Sequence, residues 1–482
     1  MSISQAFANA LTGLSANSRM AEVVSSNLAN AMTDGYARRT VELSSQDLGG
    51  HGAGVRVDGI TRQINRAVLS DRRNAGAAMS GVDAMTDMLR RIEDLIGGSG
   101  GNAGLAADVA RLEEAFVAAG ADPASPIRLE AIVDRLSDLA TALNRAGDSV
   151  QTFRQEVDAQ ISSQIETLNT SLEQVAKLNG DITRAIYSGL DPSALIDQRQ
   201  IVIDRVAELV PLREMDRQGG QVALVGLGGI VLLDGKPNPF EFAPSPTIEA
   251  GMSFDSGALS GIMRRGEPID TVGGLRKFAG GAIEASLRLR DEILPQTQEG
   301  LDRFARDLLE RFADPSRDPT LTPGAPGLFT DAGATFDPLD EMGLASRISV
   351  NSLLMPSLGG DPALVRDGLG SAGTGPVGNA AQIDRWLQAL EARLAAAPGL
   401  PSEDTAGRVA DLQGRMSAAR INMEDRLAFE SARWETLREK ELTYGVDSDQ
   451  EMQTLMQIEQ AYSANARVIQ TLDSMIRTLM EI

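Results

Sequence analysis

The sequence contains no cysteine and a single histidine, His51. Disulfides and thiolate metal sites are therefore excluded, and one histidine cannot build a histidine-based metal site or, with nothing suitable near it, a catalytic triad. Aromatic residues make up only 4% of the chain. The core must then rest on Leu, Ile, Val, Met and Ala, which are residues that suit the packing of helix against helix.

Positive charge is also scarce, because 45 Lys and Arg residues stand against 67 Asp and Glu residues, for a net charge of −22. Neither nucleic acid nor an anionic membrane is expected as a partner, since both require clustered Lys and Arg. No apolar run approaches the roughly 18 residues of a transmembrane helix. The N-terminus lacks the basic and apolar regions of a Sec signal peptide. Taken alone, these absences predict a cytoplasmic protein.

Three segments resemble motifs for cofactor or metal binding, but none of them has the residue spacing that the motif requires. The glycine-rich stretch 226–229 lacks the GxGxxG pattern, and Gly235-Lys236 has no P-loop ahead of it. The acidic segment 314–318 lacks the residue order of an EF-hand. No nucleophile, base and orienting group occur together. No enzyme activity, catalytic residue, cofactor or metal is therefore predicted.

Heptad patterns mark both ends of the chain. Apolar residues recur at alternating steps of four and three over residues 3–31, interrupted at Asn17, and again from Leu455 to Leu479. The capping-box spacing of Ser448 and Glu451 predicts a helix from Asp449 to Ile482. Neither narrow stripe can bury itself alone, so the two helices are expected to pair with each other or with neighbouring subunits. Two ordinary helices of one globular bundle are the alternative.

The interior of the chain is also rich in helical patterns. Near-heptad spacing without an internal proline predicts one helix of about 60 residues, from Pro126 to about Tyr187. Further helices are predicted over 275–312, kinked at Pro295, and from Ser402 to about Glu441. Short β-type runs between Leu212 and Met263 predict a small β subdomain. Residues 314–376 have little periodicity and are interpreted as a loop or the remnant of an inserted domain.

These patterns together predict a mainly α fold. It is an elongated multi-domain rod with paired N- and C-terminal coiled-coil helices, a long-helix bundle and a small β subdomain. The predicted boundaries are 1–43 and 447–482 for a terminal coiled-coil assembly domain; 44–211, 270–313 and 377–446 for a helical rod domain; 212–269 for the β subdomain; and 314–376 for a loop or reduced outer domain.

Two terminal motifs resemble a known superfamily. Residues 27–38, Asn-Leu-Ala-Asn-Ala-Met-Thr-Asp-Gly-Tyr-Ala-Arg, resemble the Asn-Leu-Ala-Asn and Thr-x-Gly-Tyr motif of flagellar rod, hook and hook-associated proteins, and residues 460–471 resemble the closing signature of the same superfamily. Two internal stretches, 54–75 and 195–210, resemble the hook-associated protein 1 family; the second begins Leu-Ile-Asp-Gln-Arg-Gln. Hook and rod proteins are β-rich after their first helix, whereas this chain is expected to be helical there, which favours the hook-associated family.

The resemblance implies a non-catalytic structural subunit of the bacterial flagellum. Such a subunit is exported unfolded by the flagellar type III apparatus through an uncleaved N-terminal signal, which places it in the extracellular flagellum. It would form a ring on the distal end of the hook and join hook to filament. The implied partners are the hook protein, the second hook–filament junction protein, further copies of itself and an export chaperone before secretion.

Several alternatives stay open beside this interpretation. A hook, rod or flagellin-like filament subunit is the alternative within the superfamily, and it would grow long polymers unaided. A cytosolic coiled-coil adaptor would not need the paired terminal motifs. A muramidase-like enzyme would need a cleft with two catalytic carboxylates, which the sequence does not reveal.

The predicted assembly interface combines the heptad and motif residues of both ends. In the free monomer, residues 1–40 and 447–482 are expected to be largely disordered and to fold as a coiled coil on joining the hook, so that the ordering cost is met only at the growing end. The interface residues are Ile3, Phe7, Leu14, Val24, Asn27, Leu28, Asn30, Gly35, Tyr36, Leu455, Ile458, Tyr462, Asn465, Ile469, Leu472, Ile476 and Leu479.

Overall fold

A computed structural model of the chain describes residues 3–33, 35–48, 51–97, 103–269, 277–395 and 402–480. Helices dominate this part of the chain, which confirms the mainly α fold class. They are α1 (Ile3–Ala29), α2 (Arg66–Gly97), α3 (Leu105–Ala121), α4 (Pro126–Tyr187), α5 (Ser193–Leu209), α6 (Gly281–Arg288), α7 (Leu294–Ala313), α8 (Leu364–Asp367), α9 (Ala381–Glu391), α10 (Thr405–Leu442) and α11 (Ser448–Met480). The predicted end of the last helix, at Ile482, lies outside the described residues.

In the described residues the strands pair in antiparallel orientation, and most of them are short. Strands β1 (Arg39–Leu48) and β2 (His51–Arg62) form a hairpin. A four-stranded sheet follows α5, with β3 (Leu212–Asp216), β4 (Val222–Gly226), β5 (Val231–Asp234) and β6 (Lys236–Pro237) in sequence order. Three strand pairs complete the set: β7 (Met263–Arg264) with β8 (Glu267–Pro268), β9 (Phe329–Asp331) with β10 (Ile348–Val350), and β11 (Leu394–Ala395) with β12 (Ser402–Glu403).

Helix α4 is the longest helix in the described residues, and the main core is built along it. Its 62 residues span about 93 Å at 1.5 Å per residue, which confirms the predicted long helix and its bounds. Pro126 occupies the first turn, where its missing N–H costs nothing. The helix ends at Tyr187, two residues before Gly189, whose φ of 70° suits glycine. The buried stripe of α4 shares one continuous apolar core with α2, α3, α5, α6 and α7.

The small β-sheet is fastened to α4 by two asparagines. The Asn169 side chain accepts from Phe240 N at 2.9 Å and donates to Phe240 O at 2.7 Å. Asn179 makes the same pair of bonds with Val222, at 3.2 and 2.9 Å. Each amide thereby satisfies both polar groups of one residue of the β region, which explains how a sheet can pack against the side of a helix without unpaired backbone groups.

The helix predicted to kink at Pro295 changes its hydrogen-bond pattern just before that residue. Helices α6 and α7 are continuous through a π-helical turn at Leu289–Ile293. Proline lacks the N–H that an α-helical ladder needs, and a wider turn accommodates this loss. The turn directs Arg290, which is fully buried, onto Asp158 of α4, with 2.6 Å between Nη1 and Oδ1. The first predicted residues of this helix, 275 and 276, lie outside the described residues.

Two predicted segments need correction. Residues 44–62, assigned to the helical rod domain, instead form most of the hairpin β1–β2. Val55 and Val57 have the spacing of a strand, and Ile60 follows after a register shift in the pairing that skips Asp58. Residues 314–376, predicted as a loop or a reduced outer domain, are not a separate outer domain. Although irregular, they contribute buried side chains to the main core, namely Leu328, Phe329, Leu344, Ile348, Leu354 and Val365.

Asp302 of α7 holds this irregular segment in place. Its buried carboxylate accepts from Gly343 N and Ala345 N, both at 2.8 Å, and burial raises the pKa of this carboxyl group. We expect Asp302→Ala to lower the free energy of unfolding by about 2–4 kcal/mol, because two buried N–H groups lose their acceptor. Urea unfolding followed by circular dichroism measures this. Glu299→Ala, which removes an exposed carboxylate on the same helix, is the control, and equal midpoints for the two variants would contradict the assignment.

Candidate assembly interface

The first and last helices pack against each other in antiparallel orientation. Asn27 Nδ2 of α1 donates to Glu451 Oε2 of α11 at 3.1 Å. Nearer the chain ends, Gly13 faces Asn465, and a Cβ added to Gly13 would lie 2.9 Å from Asn465 Nδ2. Later residues of α1 therefore meet earlier residues of α11. Helices α1 and α11 together with the β1–β2 hairpin, which lies along α1, are called the terminal module below.

The predicted interface residues divide by burial within this single chain. Both helices are already formed and paired, so the expectation of largely disordered ends is not what the structure shows. Val24, Asn27, Ile458 and Leu472 are buried; Ile3, Leu14, Leu28, Asn30, Tyr36, Leu455, Asn465 and Ile469 are partly buried; Phe7, Gly35, Tyr462, Ile476 and Leu479 are exposed.

The apolar stripe of α11 is wider than the part that α1 covers. Ile458 and Leu472 face α1, whereas Val468, Met475 and Leu479 on one flank are 45%, 52% and 61% exposed. At 100° per residue these three lie within one narrow sector beside the buried stripe. A row of large apolar side chains of this kind is a feature of surfaces that other proteins cover.

Asn27 is the centre of the terminal module. Its side chain is 1% exposed, and its amide nitrogen donates both to Glu451 Oε2 and to Arg39 O, the latter at 2.9 Å. Its amide oxygen accepts from Tyr36 Oη at 2.9 Å and from Arg39 N at 3.0 Å. One side chain thus fixes the end of α1, the following turn and α11. This geometry gives a physical reason for the Asn and Tyr of the N-terminal motif.

The remaining motif residues shape the turn after α1. Asn30 Nδ2 donates to Ser26 O at 2.8 Å and so satisfies a carbonyl at the helix end. Gly35 has a φ of 76°, the left-handed conformation expected there. A side chain is excluded at Gly35 for a second reason, because its Cβ would lie 2.5 Å from Ile201 Cγ1 on α5.

Glu451 is a buried residue of the terminal module whose local role the sequence interpretation assigned wrongly. The capping box does not form, because Asp447 caps α11 by accepting from Asp449 N at 2.9 Å and Gln450 N at 3.1 Å. Glu451 instead is 1% exposed and accepts from Arg38 Nε at 2.6 Å. One signal was available, since Glu451 occupies the same heptad position as Ile458 and Leu472.

Asp197 of α5 connects the terminal module to the helical rod, by which we mean α2–α7 and α10. Its Oδ2 accepts from Arg39 Nη2 at 2.8 Å, and its Oδ1 accepts from Arg62 Nε at 2.9 Å and Nη2 at 2.6 Å. These arginines are the first residue of β1 and the last of β2. The Leu-Ile-Asp-Gln-Arg-Gln stretch therefore lies at the junction between the module and the rod.

The next residues of this stretch bind the rod itself. Arg199 Nη1 donates to Asn179 Oδ1 at 2.8 Å and to Gly220 O at 2.7 Å. Burial lowers the pKa of the Arg199 guanidinium, and the charge of Glu214 opposes that shift. Gln200 accepts from Arg73 of α2 at 2.5 Å. One helical segment thus contacts the hairpin, the long helix and α2.

Comparison with family models shows which known proteins the chain is similar to. The model described as the flagellar hook-associated protein FlgK helical domain matches residues 89–327. This part of the chain is therefore similar to the helical domain of the flagellar hook-associated proteins. Two further models match the chain near its ends: "Flagella basal body rod protein" over residues 7–36 and "Flagellar basal body rod FlgEFG protein C-terminal" over residues 443–482.

Individual relatives carry the same family name. "Flagellar hook-associated protein 1" of Escherichia coli K12 is 22% identical over 317 residues, or 63% of this chain and 55% of that protein. The protein of that name from Bacillus subtilis 168 is 22% identical over 510 residues, or 96% and 95% of the two chains. This chain thus matches about half the length of the Escherichia coli relative. The solved structure of the flagellar hook junction protein FlgK from Burkholderia pseudomallei aligns with a TM-score of 0.43 and 18% identity, over 55% of this chain and 47% of that one.

A cleft of about 1010 Å³ lies beside α7. Among its carboxylates, Asp302 accepts from Gly343 N and Ala345 N, and Asp307 is paired with Arg311 and Arg408. Within the described ranges no group of three or more His, Cys, Asp or Glu residues could hold a metal ion. No helix in that same part of the chain is both long and apolar enough for a membrane crossing.

Proposed function

We propose that this protein is a non-catalytic structural subunit of the bacterial flagellum, which assembles on the distal end of the hook and joins hook to filament. The observation that carries the proposal is the terminal module, in which α11 pairs with α1 yet leaves an apolar row uncovered. The relatives named flagellar hook-associated protein 1 agree with it. The proposed place of action is the extracellular flagellum, reached by type III export, as the resemblance in the terminal motifs implies.

The open row on α11 suggests how copies would join. Each α11 could accept a helix of a neighbouring copy beside α1, so that the terminal modules together form a ring of packed helices. Burial of apolar side chains contributes about 25 cal/mol per Å² to such contacts. The proposed partners are the hook protein, the second junction protein and further copies of this chain, with an export chaperone before secretion. The proposed domain boundaries remain those of the sequence, with the two corrections above.

A hook, rod or flagellin-like filament subunit is the second candidate, because both terminal family models carry rod-protein descriptions. The two functions differ in the polymer that forms. A junction subunit stops after a short ring on the hook, whereas a filament subunit grows without limit. Electron microscopy of isolated hooks mixed with purified protein distinguishes them. Long filaments from the protein alone would overturn the junction proposal.

Charges placed on the open row should prevent assembly. We expect Val468→Asp with Met475→Asp to reduce addition to hooks at least tenfold, since each carboxylate would have to be desolvated in the contact. Both side chains are about half exposed in the single chain, so we expect the double variant to have the same melting temperature as the parent protein. Ser463→Asp with Gln470→Asp adds the same charge to the polar side of α11 and is the control. Equal incorporation of the two double variants would contradict the proposed role of the row.

A further inference from the structure

We propose that Asp197 is the positioning residue of a rigid joint, formed with Arg39 and Arg62, that fixes the direction in which the terminal module leaves the rod. The consequence for assembly rests on the proposed function. The joint itself is a property of the single chain and can be tested without a hook.

The geometry of the hairpin creates the need for this joint. Arg39 and Arg62 are directly opposite each other at the open end of β1–β2. Like charges in facing positions of a strand pair destabilise the pairing. Asp197 lies between them, and each of its carboxylate oxygens serves one arginine. The carboxylate thus offsets the repulsion and ties both strands to α5 at once.

The joint is shielded from water, which strengthens it. The side chains of Arg39, Arg62 and Asp197 are only 14%, 10% and 11% exposed. Ion pairs in such surroundings are less screened by salt than exposed pairs. Arg62 donates through both Nε and Nη2, and this fork geometry restricts orientation as well as distance.

A second contact prevents rotation about the first. Ile201, one helical turn after Asp197, lies against Gly35. From there the contacts continue into the module: the Arg39 guanidinium lies 4.8 Å from the centre of the Tyr36 ring, and Tyr36 donates to Asn27. A continuous path therefore joins α5 of the rod to the centre of the terminal module.

Rigidity at this point would give every copy the same angle between module and rod. In a ring, terminal modules can pack side by side only if they leave their rods in the same direction. Loss of Asp197 should leave both parts folded while their relative orientation becomes variable. This separates the positioning role from a contribution to stability alone.

Distance measurement between spin labels tests the joint directly. The chain has no cysteine, so Ser18→Cys on α1 and Ser163→Cys on α4 can be labelled specifically with nitroxides. We expect one narrow distance distribution in this labelled protein and at least a doubling of its width with Asp197→Ala, at an unchanged helical melting transition of the rod. Asp234→Ala removes the carboxylate of an exposed ion pair with Arg217 and is the control. An unchanged width with Asp197→Ala would overturn the proposal.

Exchanging the charges of Asp197 and its two arginines tests whether the fixed orientation can be restored. The triple variant Asp197→Arg, Arg39→Glu and Arg62→Glu restores the attraction with opposite signs, so a return of the narrow distribution is expected. A distribution as broad as that of Asp197→Ala would count against an electrostatic joint. In the hook assay, normal ring addition by Asp197→Ala would overturn the role of the joint in assembly. If the parent protein did not add to hooks, the proposed function would be overturned instead. The spin-label distance distributions would still test the joint in that case.

Discussion

Asn27→Ala is expected to open the terminal module while the rod stays folded. The change removes four hydrogen bonds and leaves a buried carboxylate, Glu451, with Arg38 as its remaining partner. Unsatisfied buried groups cost about 1–3 kcal/mol each, and more when charged. We therefore expect the local free energy of opening to fall by about 3–5 kcal/mol.

Hydrogen exchange with mass spectrometry measures this opening. Amides of α1 and α11 should exchange at least a hundredfold faster in Asn27→Ala, and those of α4 should be unaffected. Asn30→Ala, which removes a single bond to Ser26 O, is the matched control and should change exchange only slightly. If α1 and α11 exchanged equally in both variants, Asn27 would not be the centre of the module.

Arg290→Met is expected to destabilise the rod itself. Arg290 is fully buried and donates to Asp158 Oδ1 at 2.6 Å and to Ser260 O at 3.0 Å. It also donates through Nε and Nη2 to the two carboxylate oxygens of the neighbouring Asp291. Without it, the buried Asp158 carboxylate keeps one described hydrogen bond, from Ser245 N at 2.7 Å. Removing one partner of a buried pair costs about 3–5 kcal/mol. The midpoint of urea unfolding should shift accordingly.

A double-mutant cycle separates the pair from its surroundings. Asp158→Leu with Arg290→Met should cost less than the sum of the two single changes, because the buried Asp158 carboxylate is then absent and only Asp291 has lost its arginine. Arg303→Met removes an exposed arginine from α7 and should change stability by less than about 0.5 kcal/mol. Additive costs in the cycle, or equal costs for Arg290→Met and Arg303→Met, would show that the buried pair is not coupled.

Local patterns predicted the helices well because burial repeats along a helix with a fixed period. The bounds of α4 could be predicted for this reason. The four-stranded region after Leu212 could also be predicted, from its short β-type runs. The hairpin β1–β2 was missed because the chain was expected to be helical after its first helix, although Val55 and Val57 have the spacing of a strand. The packing of residues 314–376 could not be predicted, since an irregular segment has no period from which burial can be inferred.

The polar contacts of the terminal module could be predicted from the sequence only in part. Motif residues such as Asn27 and Tyr36 were identified, but not their partners. Asp197 and Arg39 are separated by 158 residues, and Asn27 and Glu451 by 424. Nothing in a local window indicates which of 67 acidic residues meets a given arginine. Long-range ion pairs are specified by the whole fold rather than by nearby sequence.

The distance along the chain between α1 and α11 also sets an order of folding. Closing a loop of 424 residues directly is costly in entropy and slow. Helices α2 and α10 shorten this search, because they pack side by side, with ion pairs between Arg72 and Glu441 and between Arg90 and Glu424. Once that pair has formed, α1 and α11 extend from neighbouring points. We therefore expect the terminal module to form last, after the scaffold that brings its two helices together is complete.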